Sequence, residues 1–190
     1  METQLRKTFA YLNKFFMVPL FRLGFGRWIG TPFGGYIMVL QVRGRKTGKT
    51  RFAPVNYAIE NGAVYCLSGF GVTADWYRNL RANPHVTAML PSGALAGVAE
   101  PVDESAERLR VLRRVLINAG FAGFFYGYDP RHVSDERLEA TTREVVAIRI
   151  RPTGIGAGAH DPGGWAWVFT LALNLALFVW LGCKLKPRGK

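Results

Sequence analysis

Residues 52–68 read FAPVNYAIENGAVYCLS and carry the clearest structural signal in the 190-residue chain. Two short apolar runs, Phe52–Ile59 and Ala63–Ser68, flank the dipeptide Asn61-Gly62. Asn-Gly favours the left-handed backbone of a tight hairpin turn, and alternating apolar residues favour strands. The segment therefore predicts two antiparallel strands joined by a tight turn.

Further runs of strand length lie on both sides of this hairpin. They are Tyr36–Val42, Val86–Leu90, Leu95–Pro101 and Val145–Ile150. Helices are predicted at Ala74–Ala82, at about Glu104–Ala119 and after the capping residue Ser134. Six short, mostly antiparallel strands with a few helices predict a mainly β fold, a small β-barrel decorated by helices. There is no βαβ alternation, which argues against a doubly wound dinucleotide-binding sheet.

The C-terminal end contains an uncharged apolar segment. Residues 165–183 read WAWVFTLALNLALFVWLGC, and a helix of this length would just cross a bilayer core of roughly 30 Å. Residues 152–164 are rich in glycine and predict a linker, and residues 184–190 form a basic tail. We therefore expect a transmembrane anchor at 165–183. The alternatives are a buried helix of a larger core, an oligomerisation helix, or a helix lying in the membrane interface.

Residues 1–35 predict an amphipathic helix followed by a glycine-rich connector at 24–35. Leu5, Phe9, Leu12 and Phe16 recur at helical spacing and form one apolar stripe. Such a stripe can lie in a membrane interface or cover the domain's own sheet, and the sequence leaves both readings open. No signal-peptide pattern is present, so we expect the globular part on the cytoplasmic side of the cell membrane.

Composition limits the functional classes. With 49% apolar residues the chain can bury a core, which excludes disorder throughout. The three histidines lack metal-ligand spacing and the two cysteines lie far apart, so no zinc site or disulfide framework is expected. A net charge of +12 suits an acidic partner: nucleic acid, anionic lipid, or a phosphorylated or carboxylated small molecule.

The positive charge is concentrated in residues 43–51, RGRKTGKTR, where five of nine residues are cationic. Glycines at 44 and 48 allow close backbone approach to a ligand, and backbone N–H groups can point at phosphate oxygens. A nucleotide-binding P-loop needs four residues between its first glycine and its Gly-Lys-Thr, but here only three intervene, and a strand follows instead of a helix. The residues alone leave two readings of this cluster, a solvated hairpin loop or an anion site, and they argue against nucleotide triphosphatase activity.

The motif GRKTG at 44–48 occurs together with DWYRNLRANP at 75–84. With Arg51, Pro54, the Asn-Gly turn and Ser68 between them, this combination resembles the deazaflavin-dependent nitroreductases, also called F420H2-dependent quinone reductases. The resemblance covers residues 36–92 closely and 93–151 more weakly.

The resemblance implies a split β-barrel over residues 36–151, similar to that of FMN-binding reductases. It implies the cofactor F420, an 8-hydroxy-5-deazaflavin with a phosphate and a polyglutamate tail. It also implies hydride transfer to a quinone- or nitro-type acceptor, which could be a lipid-soluble quinone. The cofactor-binding residues implied are Arg45, Lys46, Thr47, Gly48, Arg51, Pro54, Trp76 and Asn79. The acceptor-side residues implied are Ser68, Tyr126 and Tyr128.

The sequence departs from the family pattern after Ser68. Family members often have Lys-Gly-Gly there, whereas this chain has Gly69-Phe70-Gly71. Two alternatives remain beside the F420 reading. One is the same barrel binding FMN; the other is a non-catalytic basic module binding anionic lipid or nucleic acid. Under the F420 reading, no nucleic-acid partner is expected.

Overall fold

The computed structural model describes residues 11–23, 25–26, 30–156 and 167–185. Its strands are β1 (Ile37–Arg43), β2 (Thr50–Glu60), β3 (Ala63–Ser68), β4 (His85–Leu90), β5 (Gly93–Pro101) and β6 (Val146–Ile155). Its helices are α1 (Val18–Arg22), α2 (Asp75–Ala82), α3 (Ser105–Asn118), α4 (Asp135–Thr141) and α5 (Trp167–Leu185). The strands close an antiparallel barrel in the order β1-β2-β3-β6-β5-β4, which confirms the prediction of a mainly β barrel with helices.

The β2–β3 hairpin forms as predicted. Glu60 pairs with Ala63, so the turn consists of two residues. Asn61 and Gly62 have φ angles of 50° and 75°, the left-handed conformation that this dipeptide adopts at low cost.

Strand β6 extends further than the sequence predicts. It continues to Ile155, which pairs with Leu95, so the predicted linker does not begin at residue 152. The extension is possible because β5 begins early, at Gly93, and offers backbone partners to the whole segment. Pro152, which cannot donate to a ladder, lies opposite Gly97, where the register shifts.

The barrel interior is filled by alternate strand residues and closed by α2. Met38 and Leu40 of β1 and Ile148 of β6 are fully buried there. Tyr77 and Leu80 of α2 belong to the same cluster. The helix begins one residue after a 3₁₀ turn at Gly71–Thr73. Its first turn lies beside the loop between β1 and β2, because the Arg45 guanidinium bonds to the Asp75 carbonyl.

Helix α3 covers one outer face of the barrel. Val111 and Val115 pack on Ala58, Tyr65 and Ala147. The chain then forms a 3₁₀ segment, Gly120–Tyr126, before α4. The Ser134 hydroxyl accepts a hydrogen bond from the Arg137 amide at 3.4 Å, which confirms Ser134 as the cap of α4.

The N-terminal helical segment covers the opposite outer face, but with a face other than the predicted one. Met17 and Phe21 are buried against Val39, whereas Leu12 and Phe16 of the predicted stripe are 48% and 54% exposed. Leu5 and Phe9 lie outside the described residues. The segment Asn13–Met17 is π-helical, and its wider turn rotates the following residues away from the 3.6-residue period on which the stripe was based.

Helix α5 carries exposed apolar side chains. All side chains from 171 to 180 are exposed, so the alternative of a helix buried in a larger core is wrong for these residues. No helix within the described residues is both long and apolar enough to cross a membrane. The predicted span of 165–183 is therefore not supported; its first two residues lie outside the described ranges.

Candidate functional site

The loop between β1 and β2, residues 44–49, is closed by its own backbone. The Gly48 amide donates to the Gly44 carbonyl at 2.8 Å, and the Gly44 amide donates to the Lys49 carbonyl at 2.9 Å. Gly48 has a φ of +65°, so it turns the chain where most L side chains would be strained. The Lys49 amide also donates to the Thr47 hydroxyl at 3.4 Å. The cationic cluster is thus held on a tight hairpin loop leading into a strand, in agreement with the rejection of a P-loop.

Arg45 ties this loop to helix α2. Its guanidinium donates to the Asn79 side-chain oxygen at 2.9 Å and to the Asp75 carbonyl at 3.2 Å. It also forms an ion pair with the Asp75 carboxylate at 2.9 Å. The Arg45 amide donates to the same Asn79 oxygen at 3.1 Å. Asn79 is only 7% exposed, so this oxygen is fixed by the packing of α2.

The other cations of the loop face solvent. Lys46, Lys49 and Arg51 are exposed, and no carboxylate in the described part of the chain forms an ion pair with them. Lys46 and Lys49 on a loop with a left-handed glycine, together with Arg51 near the start of β2, fit a multiply charged anion such as a phosphate. Lys49 was absent from the predicted contacts, although its place in the charge run could have suggested it.

Two arginines on the outside of the barrel are neutralised by carboxylates. Arg149 pairs with Glu100 at 2.7 Å and with Glu107 at 3.0 Å on the outside of the barrel. Arg151 also pairs with Glu100, and hydrogen bonds from Arg151 and then Arg149 lower the pKa of Glu100. Lys46 and Lys49, in contrast, have no carboxylate partner among the described residues.

Trp76 of α2 and Pro54 of β2 are both half-buried. Trp76 is half-buried, packs on the barrel-interior cluster, and meets Tyr77 edge-on with ring centroids 6.4 Å apart. Its indole therefore anchors α2 as well as bordering the site. Pro54 lies in β2 opposite Val39 and is half-buried.

Ser68 is fully buried, which its predicted role did not anticipate. Its hydroxyl donates to the Gly71 carbonyl at 2.7 Å and holds the turn that precedes α2. In this conformation the hydroxyl proton is already used and does not face a ligand. Residue 71 lies close to the backbone of Glu144 and must be glycine, because a Cβ there would collide with the Glu144 carbonyl.

Tyr126 and Tyr128 lie together on the segment between α3 and α4. Their rings stack with centroids 6.2 Å apart, and the Tyr128 hydroxyl hydrogen-bonds Thr141 at 2.7 Å. Burial, and then the neighbouring Tyr128, raise the pKa of Tyr126. No described contact joins this pair to Ser68 or to Arg45.

An apolar groove near this segment was missed from the sequence. It has a volume of about 240 Å³ and is lined partly by Phe33, Phe121 and Phe124. The Phe121 amide donates to the Phe33 carbonyl at 2.9 Å, so the connector before β1 forms one wall. The run GFAGFF at 120–125 was the available signal. No group of metal-ligating side chains occurs within the described ranges.

The fold is a closed antiparallel barrel whose cationic hairpin loop is bonded to helix α2. The family model of the F420H(2)-dependent quinone reductases matches residues 21–125, more than half of the chain. The chain therefore belongs to the F420H2-dependent quinone reductase family, a family of oxidoreductases.

Solved structures that resemble this chain share only low sequence identity with it. One is an F420 reductase at 20% identity, covering 67% of this chain and 92% of that chain with a TM-score of 0.43. Another is a conserved hypothetical protein of Mycobacterium tuberculosis at 20% identity, covering 62% and 73% with a TM-score of 0.44. A third is the haem storage protein HutZ of Vibrio cholerae at 14% identity, covering 67% and 84% with a TM-score of 0.42. A search of curated proteins gives no match.

Proposed function

We propose that the protein transfers a hydride from reduced F420 to a quinone-type acceptor, with the anionic part of the cofactor held on loop 44–49. The observation that carries this proposal is a group of exposed cations, Lys46, Lys49 and Arg51, which pair with no described carboxylate and lie in the segment that the family model matches. A phosphate and a glutamate tail would supply the negative charge that these side chains lack in the protein. Bound F420 supplies the hydride; the protein's residues bind and orient the cofactor.

The residues around the loop have separate tasks in this proposal. Lys46 and Lys49 contribute point charges, and Arg51 contributes a forked donor set. The half-buried Trp76 offers an apolar edge beside the loop for the deazaflavin ring. Ser68 fixes the turn before α2 through its bond to Gly71, so we assign it a shaping role and expect the acceptor to be bound by other groups.

Turnover with reduced F420 tests the proposal directly. The purified protein is mixed with reduced F420 and a panel of quinones and nitroaromatics, and the absorbance of the oxidised cofactor is followed. We expect acceptor-dependent oxidation, and saturable binding of oxidised F420 that FMN does not compete with. If none of the acceptors is reduced, or if FMN binds and F420 does not, the proposal is wrong.

We also propose that the protein acts at a membrane surface with its barrel on the cytoplasmic side. The N-terminal segment buries Met17 and Phe21 but leaves Tyr11, Phe15 and Phe16 between 54% and 71% exposed. Helix α5 exposes further apolar side chains, and a net charge of +12 favours anionic lipid. A lipid-soluble acceptor would be available at such a surface.

Vesicle flotation tests this second proposal. The full chain should float with vesicles containing anionic lipid, and a variant with both Phe15→Ser and Phe16→Ser should float less while keeping its turnover with a water-soluble quinone. Replacing the exposed Phe33 by Ser is a matched control of the same chemistry elsewhere. A wild-type chain that stays in the unbound fraction would refute membrane association.

A further inference from the structure

The position of Arg45 differs from that of the other loop cations. Its side chain is 25% exposed, and its described bonds go to α2: to Asn79, to the Asp75 carbonyl and to the Asp75 carboxylate. Lys46 and Lys49, which follow in the loop, have no such partners among the described residues. Within the most basic segment of the chain, Arg45 is therefore bonded to the protein's own helix α2.

Asn79 also fixes the loop backbone. The Asn79 oxygen accepts both the Arg45 amide and the Arg45 guanidinium, at 3.1 Å and 2.9 Å. Because Asn79 is almost completely buried, the point of attachment is as rigid as the helix core. Repulsion among its like charges weakens the loop, although backbone hydrogen bonds close it. The bonds from Arg45 to α2 oppose that repulsion.

We propose that Arg45, Asp75 and Asn79 form a latch that holds loop 44–49 in the conformation that binds the cofactor's anionic part. Arg45 is then a positioning residue, and the direct anion contacts come from Lys46, Lys49 and Arg51. This inference rests on the proposed function for the identity of the anion. The order of the loop in the free protein does not depend on it.

Asp75 gives a test in which the two roles of Arg45 predict opposite signs. If Arg45 bound the anion directly, Asp75→Asn would remove a competing carboxylate and a repulsive charge, and F420 would bind more tightly. If Arg45 acts as a latch, the same change loosens the loop, and F420 should bind about three- to tenfold more weakly. The Asp75 side chain is 75% exposed, so the substitution leaves the core packing of α2 intact.

Hydrogen exchange of the cofactor-free protein tests the latch without any ligand. Arg45→Ala and Asp75→Asn should each speed amide exchange at residues 45–49, by about tenfold or more, because the loop opens more often. Lys46→Ala should leave that exchange unchanged while still weakening F420 binding. Arg81→Ala, an exposed arginine on the same helix, is the control that should change neither property.

A double-mutant cycle completes the test. Asn79→Ala combined with Arg45→Ala should bind F420 no more than about twofold more weakly than the worse single variant, because both remove one latch. Tighter binding in Asp75→Asn, unchanged exchange in Arg45→Ala, or multiplying losses in the double variant would overturn the latch. A wild-type chain that does not bind F420 refutes the proposed function, and the exchange data then decide the latch alone.

Discussion

The sharpest test of the anion site is the removal of one open charge, Lys46→Ala. Lys46 is exposed on a loop closed by backbone hydrogen bonds and has no ion pair among the described residues. Its loss breaks no internal contact that the structure records, so the free energy of unfolding should change by less than about 0.5 kcal/mol.

The loss in binding follows from the type of contact. A charge-assisted contact on a partly solvated loop contributes about 1.5–3 kcal/mol, of which solvent screening removes part. About 1.4 kcal/mol corresponds to a tenfold change in affinity, so we expect F420 to bind roughly tenfold more weakly to Lys46→Ala. Affinity should also depend less steeply on salt, since one fewer cation engages the ligand.

Fluorescence titration with oxidised F420 and urea denaturation measure the two quantities separately. Arg114→Ala is the matched control, because Arg114 is an exposed cation on α3, away from the loop. It removes the same formal charge and should leave affinity within about twofold. Equal losses in both variants would mean that only net charge matters, and an unchanged Lys46→Ala would refute the assignment of the site.

Four further substitutions test other parts of the fold. Ser68→Ala removes the buried bond to Gly71 and should lower the free energy of unfolding by about 1–2 kcal/mol, with a smaller effect on turnover at saturation. Hydrogen bonds from Arg151 and Arg149 lower the pKa of Glu100 in the folded protein, so its ion pairs stabilise the fold above the unfolded pKa and lose that effect as pH falls through the folded pKa. Glu100→Gln should therefore reduce the loss of stability as pH falls below about 5. Because the carboxylate is partly exposed, the effect should stay below about 1 kcal/mol. Gly120→Ala should cost more than about 2 kcal/mol, because φ is +59° and the new Cβ would collide with a backbone carbonyl; Gly127→Ala, with φ +79° and nothing within 4 Å, should cost only about 1 kcal/mol.

Each of these outcomes can fail in a defined way. If Ser68→Ala leaves the urea midpoint unchanged but slows turnover, the hydroxyl serves the acceptor and not the turn. If the thermal unfolding of Glu100→Gln shows the same pH profile as the wild type, the ion pairs of that carboxylate contribute nothing measurable. Equal losses in the two glycine variants would show that the connector before β1 can move away from residue 120.

Local features of this fold were predictable from the sequence, and non-local ones were not. The alternation of β2 and β3 around Asn61-Gly62 predicted the hairpin because its geometry depends on adjacent residues only. The pairing of β6 with both β3 and β5 closes the barrel across distant parts of the chain, and no short segment encodes it. The end of β6 at Ile155 was missed for the same reason, because it depends on backbone pairing with Leu95 of β5.

In the N-terminal helix, the apolar stripe in the sequence is not the face that packs on the barrel. The two described residues of the stripe, Leu12 and Phe16, are 48% and 54% exposed. The side chains that pack on the sheet are Met17, the last residue of the π-helical segment, and Phe21, which follows it. No residue type in this stretch predicts a π-helical turn. The sequence left open whether the helix covers the sheet or lies in a membrane interface; Met17 and Phe21 pack on the sheet, through a face that the stripe did not predict.

The candidate site shows a related limit, because the sequence reports which residues are cationic but not which of them are neutralised. Arg45 and Lys46 are adjacent in the same motif, and from the motif alone they are equivalent anion ligands. The structure separates them by their partners: one is bonded to Asp75 and Asn79, thirty and thirty-four residues away, and the other is open to solvent. The role of a charge in an anion site therefore depends on the long-range contacts that compete for it, and in this protein those contacts come from the helix that closes the barrel.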